Sequence, residues 1–551
     1  MKILGVNAVF HDMAAAVVVD GQIVAAAEEE RFTRRKHGKQ AVPFSTWELP
    51  VEAARWCLAE AGLAPEDLDG VGYSYDPSLM EGRSDAPAGL DNDWEYLRTL
   101  YAARAPRFLA TALPGLDPGV VRHVRHHVAH AASAALASPK PESAVLVADG
   151  RGERTSMLAG RYRDGKIDVL ASQELPHSLG LFYEDLTEHL GFTRSSDEYK
   201  VMAMGSYGTP RFADELRRRV YATGDGGFRT EPIDWDALTP PRSGSVGDGS
   251  ALARPEPEHA DLACSAQLVV EEVLLDLVHW LRERVDCEQL AMAGGVALNC
   301  VANSKLWRHG GFSDVWIQPA AGDSGTALGA ALTLAAEAGE SLTPMPNARL
   351  GRGWSDDEIG AILDEAEIEY SRPTAFAEAV GDALAANQLV AWFQGRAEYG
   401  PRALGGRSLL ADPRRIDNLE RLNTVKGREQ FRPVAPMVLA DRAAEIFTGG
   451  PIPSPYMLFV HEVLPHWRDR IPAVTHVDGT ARIQTVDDSD PLLRDTIGHF
   501  AGRTGVPVVV NTSFNTAGRP MVDSPRDALE CFGSAPIDVL AIGPYLVRRR
   551  R

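Results

Sequence analysis

The sequence predicts an α/β protein in two parts: a duplicated N-terminal domain over 1–345 and a second α/β domain over 370–551, with a boundary region at 346–369. Three observations carry this. A strand-led unit near the N-terminus returns downstream at nearly equal length. Each copy is followed by amphipathic helix. The composition then changes at Ala335–Pro373, beyond which the chain is dense in Arg, Gly and Pro. A chain of 551 residues, 44% of them apolar, has material for about two to four hydrophobic cores.

Taken in order, Ile3–Asn7 and Ala14–Val19 read as strands, Asp20-Gly21 as a hairpin turn and Ile23–Ala27 as a third strand. The second copy has the strand Ala144–Ala148 and a tight loop, Asp149-Gly150-Arg151-Gly152. The strands Ser156–Tyr162 and Ile167–Ala171 follow, joined by Asp164-Gly165. Asn7 to Asp20 spans 13 positions and Asp149 to Asp164 spans 15. Val51–Ala61 and Ser265–Arg284 read as the helices that follow, the latter with Leu268, Val269, Val273, Leu274 and Leu277 at helical spacing. A strand-rich unit followed by helix, twice, is the layout of the actin-like (ASKHA, sugar-kinase-like) fold, which clamps a nucleotide between two halves. Phe228–Glu258 reads as a surface insertion. Past an acidic helix around Asp356–Glu369, Leu389–Phe393 and Val508–Val510 are buried-strand candidates of the second domain.

The balance of 56 Lys and Arg against 76 Asp and Glu gives a net charge of −20, which disfavours a phosphate backbone as partner. The expectation is no nucleic acid. Five scattered cysteines without a Cys-x-x-Cys pair argue against a zinc ribbon or disulfide framework and for a reducing compartment. The N-terminus reaches His11-Asp12 too soon for a signal peptide, and no apolar run is long enough to span a membrane. A cytoplasmic protein, with no membrane partner and a possible homodimer, is expected.

His126 and His130 lie four apart at the start of an alanine-rich helical stretch, so both imidazoles fall on one face. A solvated basic helix end has the same spacing. Asp149, at the end of the first strand of the second copy, and Asp323, in Ala321-Gly-Asp-Ser-Gly-Thr before a helix, point into the cleft of such a fold. Two imidazoles with two carboxylates suit a divalent transition metal such as Fe(II), Mn(II) or Zn(II). Gly150, Gly152, Gly294, Gly295 and Asn299 lie in turns after apolar strands that are either ordinary turns or places where backbone N–H groups approach a nucleotide. His11 follows the first strand and suits a general base on an acceptor hydroxyl, or a cap. Lys36, in Arg34-Arg-Lys36-His-Gly38, fits a solvated basic loop, and in a cleft it would neutralise phosphate or polarise a carbonyl.

The C-terminal part carries Arg396, Arg402, Arg407 and Arg414 among glycines and prolines, followed by Lys426, Arg428, Arg432 and Arg482, and by the strand end Asn511-Thr-Ser513-Phe-Asn. Arginines separated by glycine and proline favour loops around small anions over a solvated helix face.

These motifs together resemble the O-carbamoyltransferases of the NodU/CmcH/TobZ-like family, which act in antibiotic biosynthesis and nodulation-factor carbamoylation. The resemblance runs from Val6-Asn7…His11-Asp12 through Glu29-Glu-Arg-Phe…Lys36-His-Gly38, His126–His130, Lys200-Val-Met-Ala-Met-Gly-Ser-Tyr-Gly208 and Gly294-Gly-Val-Ala-Leu-Asn299. It continues through Gly400-Pro-Arg-Ala-Leu-Gly405, Phe431-Arg-Pro-Val-Ala-Pro436 and Asn511-Thr-Ser-Phe-Asn515, nearly the whole chain. It implies an N-terminal TsaD-like actin-like domain and a C-terminal YrdC-like domain. It also implies a two-step chemistry: carbamoyl phosphate and MgATP give carbamoyl-adenylate and pyrophosphate, then the carbamoyl group passes to an acceptor hydroxyl and AMP leaves. His126, His130, Asp149 and Asp323 match the ligands of an iron (Fe2+), His11 and Lys36 the catalytic pair. Arg402, Arg407, Lys426, Arg432, Met457, Arg482, Asn511 and Ser513 fall in the region that holds carbamoyl phosphate and ATP (with Mg2+). The short, uncharged link Ala8-Val-Phe10 suggests a hydroxylated, weakly cationic natural-product acceptor, such as a neutral glycoside. The competing readings are a tRNA threonylcarbamoyl-type enzyme, a non-enzymatic actin-like nucleotide switch and a metallohydrolase.

Overall fold

The computed structural model describes residues 1–38, 48–80, 92–242, 254–516 and 518–549. Contacts divide the chain into two compact units, with the break between Leu350 and Gly351.

The first unit is built on two sheets of identical topology. Strands β1 (Lys2–Asn7), β2 (Ala14–Val19), β3 (Gln22–Glu28), β4 (Gly70–Tyr73) and β5 (Val121–His123) stand in the order β3-β2-β1-β4-β5. The first three are antiparallel, and β4 and β5 continue in parallel from β1. The second sheet uses β6 (Glu142–Ala148), β7 (Thr155–Arg163) and β8 (Lys166–Glu174). A separate ribbon, β9 (Val220–Ala222) with β10 (Phe228–Thr230), precedes its last strands β11 (Gln289–Ala293) and β12 (Asp314–Ile317). Its order, β8-β7-β6-β11-β12, repeats the first in both sequence and sense. The unit is therefore an actin-like duplicate. Both hairpins turn on Asp-Gly pairs with left-handed backbone, Asp20 and Gly21 (φ 48° and 75°) and Asp164 and Gly165 (φ 52° and 76°), the geometry that suits strand twist.

Strand β2 is alanine and valine throughout, and the interior of β1 is the apolar run Ile3-Leu-Gly-Val6, because helices cover both faces, Val51–Glu60 on one and Ser324–Glu337 on the other. The Ser324–Glu337 helix packs as closely as backbone allows. A Cβ on Gly5 of β1 would stand 1.8 Å from the Ala327 carbonyl oxygen. One on Gly329 would stand 1.7 Å from the carbonyl oxygen of Ala129, in the His126–Ala135 helix. The two helices and β1 thus meet without a side-chain layer between them.

The ribbon accounts for the start of the expected insertion at Phe228–Glu258; residues 243–253 lie outside the described residues. The expected helix at Ser265–Arg284 runs over Pro257–Arg282, starting earlier because Ala260, Leu262, Ala263 and Ala266 are also buried. The expected acidic helix stops at Glu365, entered through a Ser355–Glu358 capping box and left before Glu367 turns left-handed (φ 51°).

The second unit has a seven-stranded mixed sheet in the order Gln484–Val486, Ala435–Leu439, Val508–Ser513, Arg407–Ala411, Val390–Phe393, Val539–Ile542, Tyr545–Arg548. The helices Phe376–Ala385 and Pro491–Thr504 pack against each other. No helix among the described residues is long and apolar enough to cross a membrane.

Glu29, buried at the end of β3, caps the Val51–Glu60 helix. Its carboxylate accepts from the N–H groups of Ala53 (2.8 Å) and Glu52 (3.3 Å). Burial outweighs these donors and pushes its pKa up to about 7 from 4.5. Between those values the folded chain binds a proton that the unfolded chain has released, so this group's contribution to stability falls as pH rises. Urea unfolding at about pH 5 and about pH 8 is expected to show a shallower pH slope in Glu29→Gln, by on the order of 2–3 kcal/mol across the window.

Candidate functional site

Two helix starts and one strand end converge in the first unit. Asp149 follows β6, Asp323 precedes the Ser324–Glu337 helix, and His126 and His130 occupy successive turns of the His126–Ala135 helix. One donor atom from each of the four lies within 4.8 Å of all the others, and all four residues are buried. His126 Nε2 stands 3.6 Å from Asp149 Oδ2 and 3.5 Å from Asp323 Oδ1. His130 Nε2 stands 3.7 and 3.5 Å from the same two oxygens. These separations are too long for hydrogen bonds and match the edge of a coordination shell with bonds of about 2.1 Å. The His126 and His130 Nε2 atoms are buried without a hydrogen-bond partner among the described residues. Orphaned nitrogens aimed at carboxylates are the fit expected of a divalent-metal site.

The surroundings fix each ligand. His126 Nδ1 meets the Ser74 carbonyl at 3.1 Å, which leaves Nε2 as the free nitrogen, and the His126 N–H donates to Glu153 Oε1 at 2.8 Å. Gly295 N–H donates to Asp149 Oδ1 at 2.8 Å, so Oδ2 faces the imidazoles. Burial alone would raise the carboxyl pKa values, but the facing histidines hold both Asp149 and Asp323 below the usual carboxylate range. Burial works against protonated His126 as well, yet the two carboxylates raise its pKa, whereas burial prevails at His130 and lowers it.

His11 sits beside this cluster, its Nε2 3.9 Å from Asp323 Oδ2 and its Nδ1 3.0 Å from Asp12 Oδ2. The turn is strained: Phe10 and Asp12 are left-handed (φ 63° and 52°). Asn7 Nδ2 holds it by donating to the carbonyls of His11 and Asp12, both at 3.0 Å. Asp12 Oδ1 reaches His37 Nδ1 at 2.7 Å, and His37 Nε2 meets Ser196 Oγ at 2.9 Å. Lys36 Nζ donates to the same hydroxyl at 3.2 Å. Asp12, Glu30 and His37 form a second group of possible ligands, but both His37 nitrogens are already hydrogen-bonded.

The glycine turns have mixed roles. Gly294 needs its left-handed backbone (φ 94°), and a Cβ there would strike the Ala148 carbonyl at 2.2 Å. Gly152 packs against His126 and His127, and Gly150 faces Glu184. Asn299 caps the Cys300–His309 helix and exchanges hydrogen bonds with Gln267 (2.9 and 3.1 Å), so its amide is used structurally.

In the second unit, Lys426 Nζ is buried and donates to Ser513 O (2.7 Å) and Oγ (2.9 Å). Burial, Arg428 and Arg432 push its pKa well down. Asn511 Nδ2 donates to Ala403 O and Gln484 Oε1, and its Oδ1 is buried without a partner among the described residues. Arg482 Nε is likewise buried and unpartnered. Arg432 pairs with Glu429 at 3.5 Å, Arg402 lies in the loop before the Arg407–Ala411 strand, and Met457 is buried with left-handed backbone (φ 56°). Arg407 is different. Its guanidinium lies over Phe393 (3.7 Å) and donates to the carbonyls of Gln394, Gly395, Gly406 and Arg352, so it holds the glycine-rich loop together. Glu398 does the same from its carboxylate, accepting the N–H groups of Leu404, Gly406 and Arg407.

The carbamoyltransferase N-terminus family model matches residues 2–332 and the carbamoyltransferase C-terminus model residues 381–549. The chain belongs to the carbamoyltransferase family. This carbamoyltransferase is 36% identical to an uncharacterized protein of Synechocystis sp., over 99% of this chain and 96% of that protein. It is also 36% identical to nodulation protein NolNO of Sinorhizobium fredii, over 99% and 80%. Among solved structures, T. kodakarensis HypF matches at 17% identity with a TM-score of 0.33, over 62% of this chain and 48% of that one.

Four residues of the cleft escaped the sequence reading. In the sequence Asp12 is only the neighbour of His11, and His37 falls within a basic run. Ser196 had no motif of its own. His127, whose buried Nε2 lies 3.6 Å from Asp149 Oδ2, was hidden between the two spaced histidines. Only the carboxylate–imidazole adjacency at His11-Asp12 could have signalled one of them.

His126→Ala and Asp323→Asn are each expected to weaken retention of a divalent transition metal by more than about 100-fold, and Glu153→Ala by about 10-fold. Metal content after dialysis against a chelator checks this. Because imidazole ligates metal only in its neutral form and the facing carboxylates favour protonated His126, affinity should rise with pH, with proton release visible by calorimetry in two buffers.

Proposed function

We propose that this carbamoyltransferase makes carbamoyl-adenylate from carbamoyl phosphate and MgATP, releasing pyrophosphate, and passes the carbamoyl group to a hydroxyl of a glycosylated natural product as AMP departs. What supports this most is the pairing of the buried His126–His130–Asp149–Asp323 cluster with a histidine beside it whose own orientation is fixed. A divalent metal held by those four residues, Fe2+ in the family resemblance, would act as a Lewis acid on the adenylate phosphate.

The roles of the chain's own groups follow from their contacts. A carboxylate can only accept hydrogen bonds, so Asp12 requires the proton of His11 on Nδ1. In neutral His11 the lone pair then lies on Nε2, which faces Asp323 and is placed to take the proton of an acceptor hydroxyl. In the second unit, anhydride formation joins two anions and needs fixed cations. Arg482 has a buried Nε without a hydrogen-bond partner among the described residues, and Lys426 Nζ, held by Ser513, lies close to the guanidinium groups of Arg428 and Arg432. Arg402, Arg432, Asn511 and Ser513 would complete that pocket and Met457 would line it. Arg407 would act by shaping the loop.

Release of pyrophosphate and AMP from ATP is expected to require carbamoyl phosphate and to fall by more than about 100-fold in Arg482→Ala. The measurement is product analysis on the Fe(II)-loaded chain. Release without carbamoyl phosphate, or ADP in place of AMP, would falsify the adenylate route.

A further inference from the structure

Ser74 stands one residue beyond β4, beside Asn7 at the end of β1, because the parallel pairing of the two strands sets Val6 against Tyr73. Its N–H extends that pairing by donating to the Val6 carbonyl at 3.0 Å. Thr326 lies in the first turn of the Ser324–Glu337 helix. Far apart in sequence, Asn7, Ser74 and Thr326 are all fully buried, and their side chains form one hydrogen-bonded run. Thr326 Oγ1 meets the Asp323 carbonyl at 2.6 Å and Ser74 Oγ at 2.9 Å, and Ser74 Oγ meets Asn7 Oδ1 at 3.2 Å. Glycines beneath the helix let so short a hydroxyl reach the strands. Gly5 and Gly72 sit two positions before Asn7 and Ser74, on the same face of the sheet. A Cβ on either would strike a helix carbonyl, 1.8 Å from Ala327 O or 2.7 Å from Ala330 O.

Each end of this run grips a part of the site. At one end, Asn7 Nδ2 donates to the carbonyls of His11 and Asp12, in the turn where Phe10 and Asp12 are left-handed. An asparagine amide turned over would present its oxygen to those carbonyls, so the donors to Oδ1 decide whether the turn is held. Ser74 Oγ faces that oxygen, together with the Val9 N–H at 3.4 Å. At the other end Thr326 is tied to the main chain of Asp323, and midway the Ser74 carbonyl orients His126. One serine therefore serves the His11 turn with its side chain and a cluster imidazole with its main chain.

Two hydroxyl protons serve three contacts along the run, at Asp323 O, between Thr326 and Ser74, and at Asn7 Oδ1. The outer two acceptors cannot donate, so every arrangement leaves one contact without a proton. A shift of the Asp323 carbonyl redistributes both protons and is felt at the Asn7 amide. Such a run has discrete arrangements that groups at either end can bias.

We propose that Ser74 and Thr326 are positioning residues for carbamoyl transfer, an inference that rests on the reading of His11 as the base beside a metal-bearing cluster. Filling the cluster shifts Asp323, the hydroxyl run passes the shift to Asn7, and Asn7 tightens the turn that carries His11. By reciprocity, a tightened turn favours metal at the cluster.

The test is hydrogen–deuterium exchange with mass spectrometry on the full chain, with and without Zn(II) as the probe metal. Zinc is expected to slow exchange in the peptide spanning Ala8–Met13 by at least about 10-fold in the wild-type chain. In Ser74→Ala and in Thr326→Val the slowing should fall below about 2-fold, although metal analysis of the same samples finds zinc bound. Thr326→Ser, which keeps the hydroxyl, should restore the slowing. Exchange in the Pro257–Arg282 helix should be the same in all four chains and reports that they are folded. Wild-type slowing in either hydroxyl-free variant would overturn the relay. So would zinc bound to the wild-type chain without slowing, or zinc lost from both variants, which would make the two residues simple props of the cluster. A wild-type chain that retains no zinc would instead remove the metal-cluster reading on which the relay rests.

Discussion

The first unit is organised around the burial of two carboxylates, Asp149 and Asp323, opposite the imidazoles of one helix. Isolated buried charges of this kind cost several kcal/mol each unless something compensates them. Here the compensation comes from His126 and His130 on one helix, which face Asp149 at the end of a strand in the second sheet and Asp323 before the Ser324–Glu337 helix. The position of every neighbouring group follows from keeping those four residues together. Ser74 orients one imidazole, Gly295 orients one carboxylate, and Glu153 closes the helix end that bears the histidines. Stability and chemistry are in tension at this point, and a bound cation would relieve it.

The outline of the fold was legible because its signals are local. Asp20-Gly21 and Asp164-Gly165 are both true left-handed turns, and the strands around them alternate with helices as the sequence suggests. The duplication, ambiguous from two hairpins alone, becomes unmistakable only in the parallel additions of β4, β5, β11 and β12, whose pairing joins residues distant in sequence. Helix ends were less legible. Pro257–Arg282 begins where burial begins and not where the heptad-like spacing becomes clear.

The site divides along similar lines. Residues whose spacing is itself the signal, such as His126 and His130, could be placed on one face from the sequence. Residues that act through a partner from another element could not. Ser196 and His37 stand 159 positions apart and share no motif, yet their side chains touch. In the other direction, Arg407 and Asn299 look like ligand contacts in one dimension, and in three their polar atoms are directed at the protein's own backbone and side chains. An arginine among glycines shapes a loop as readily as it grips an anion, because the carbonyls that glycine exposes are themselves acceptors.

The contact between glycines and backbone described for the Ser324–Glu337 helix has a consequence for the chemistry. That helix begins at Asp323, it touches the His126–Ala135 helix at Gly329, and it touches the strand leading to His11 through Gly5. The spacing of the His126–His130–Asp149–Asp323 cluster is therefore set at positions that have no side chain at all. A single added methyl at Gly329 would act as a spacer, moving one ligand-bearing helix away from the other by a fraction of its own width. Carboxylate and imidazole would then separate without either being changed. Two glycines, neither of them a ligand, decide whether the reacting groups are within reach of one another.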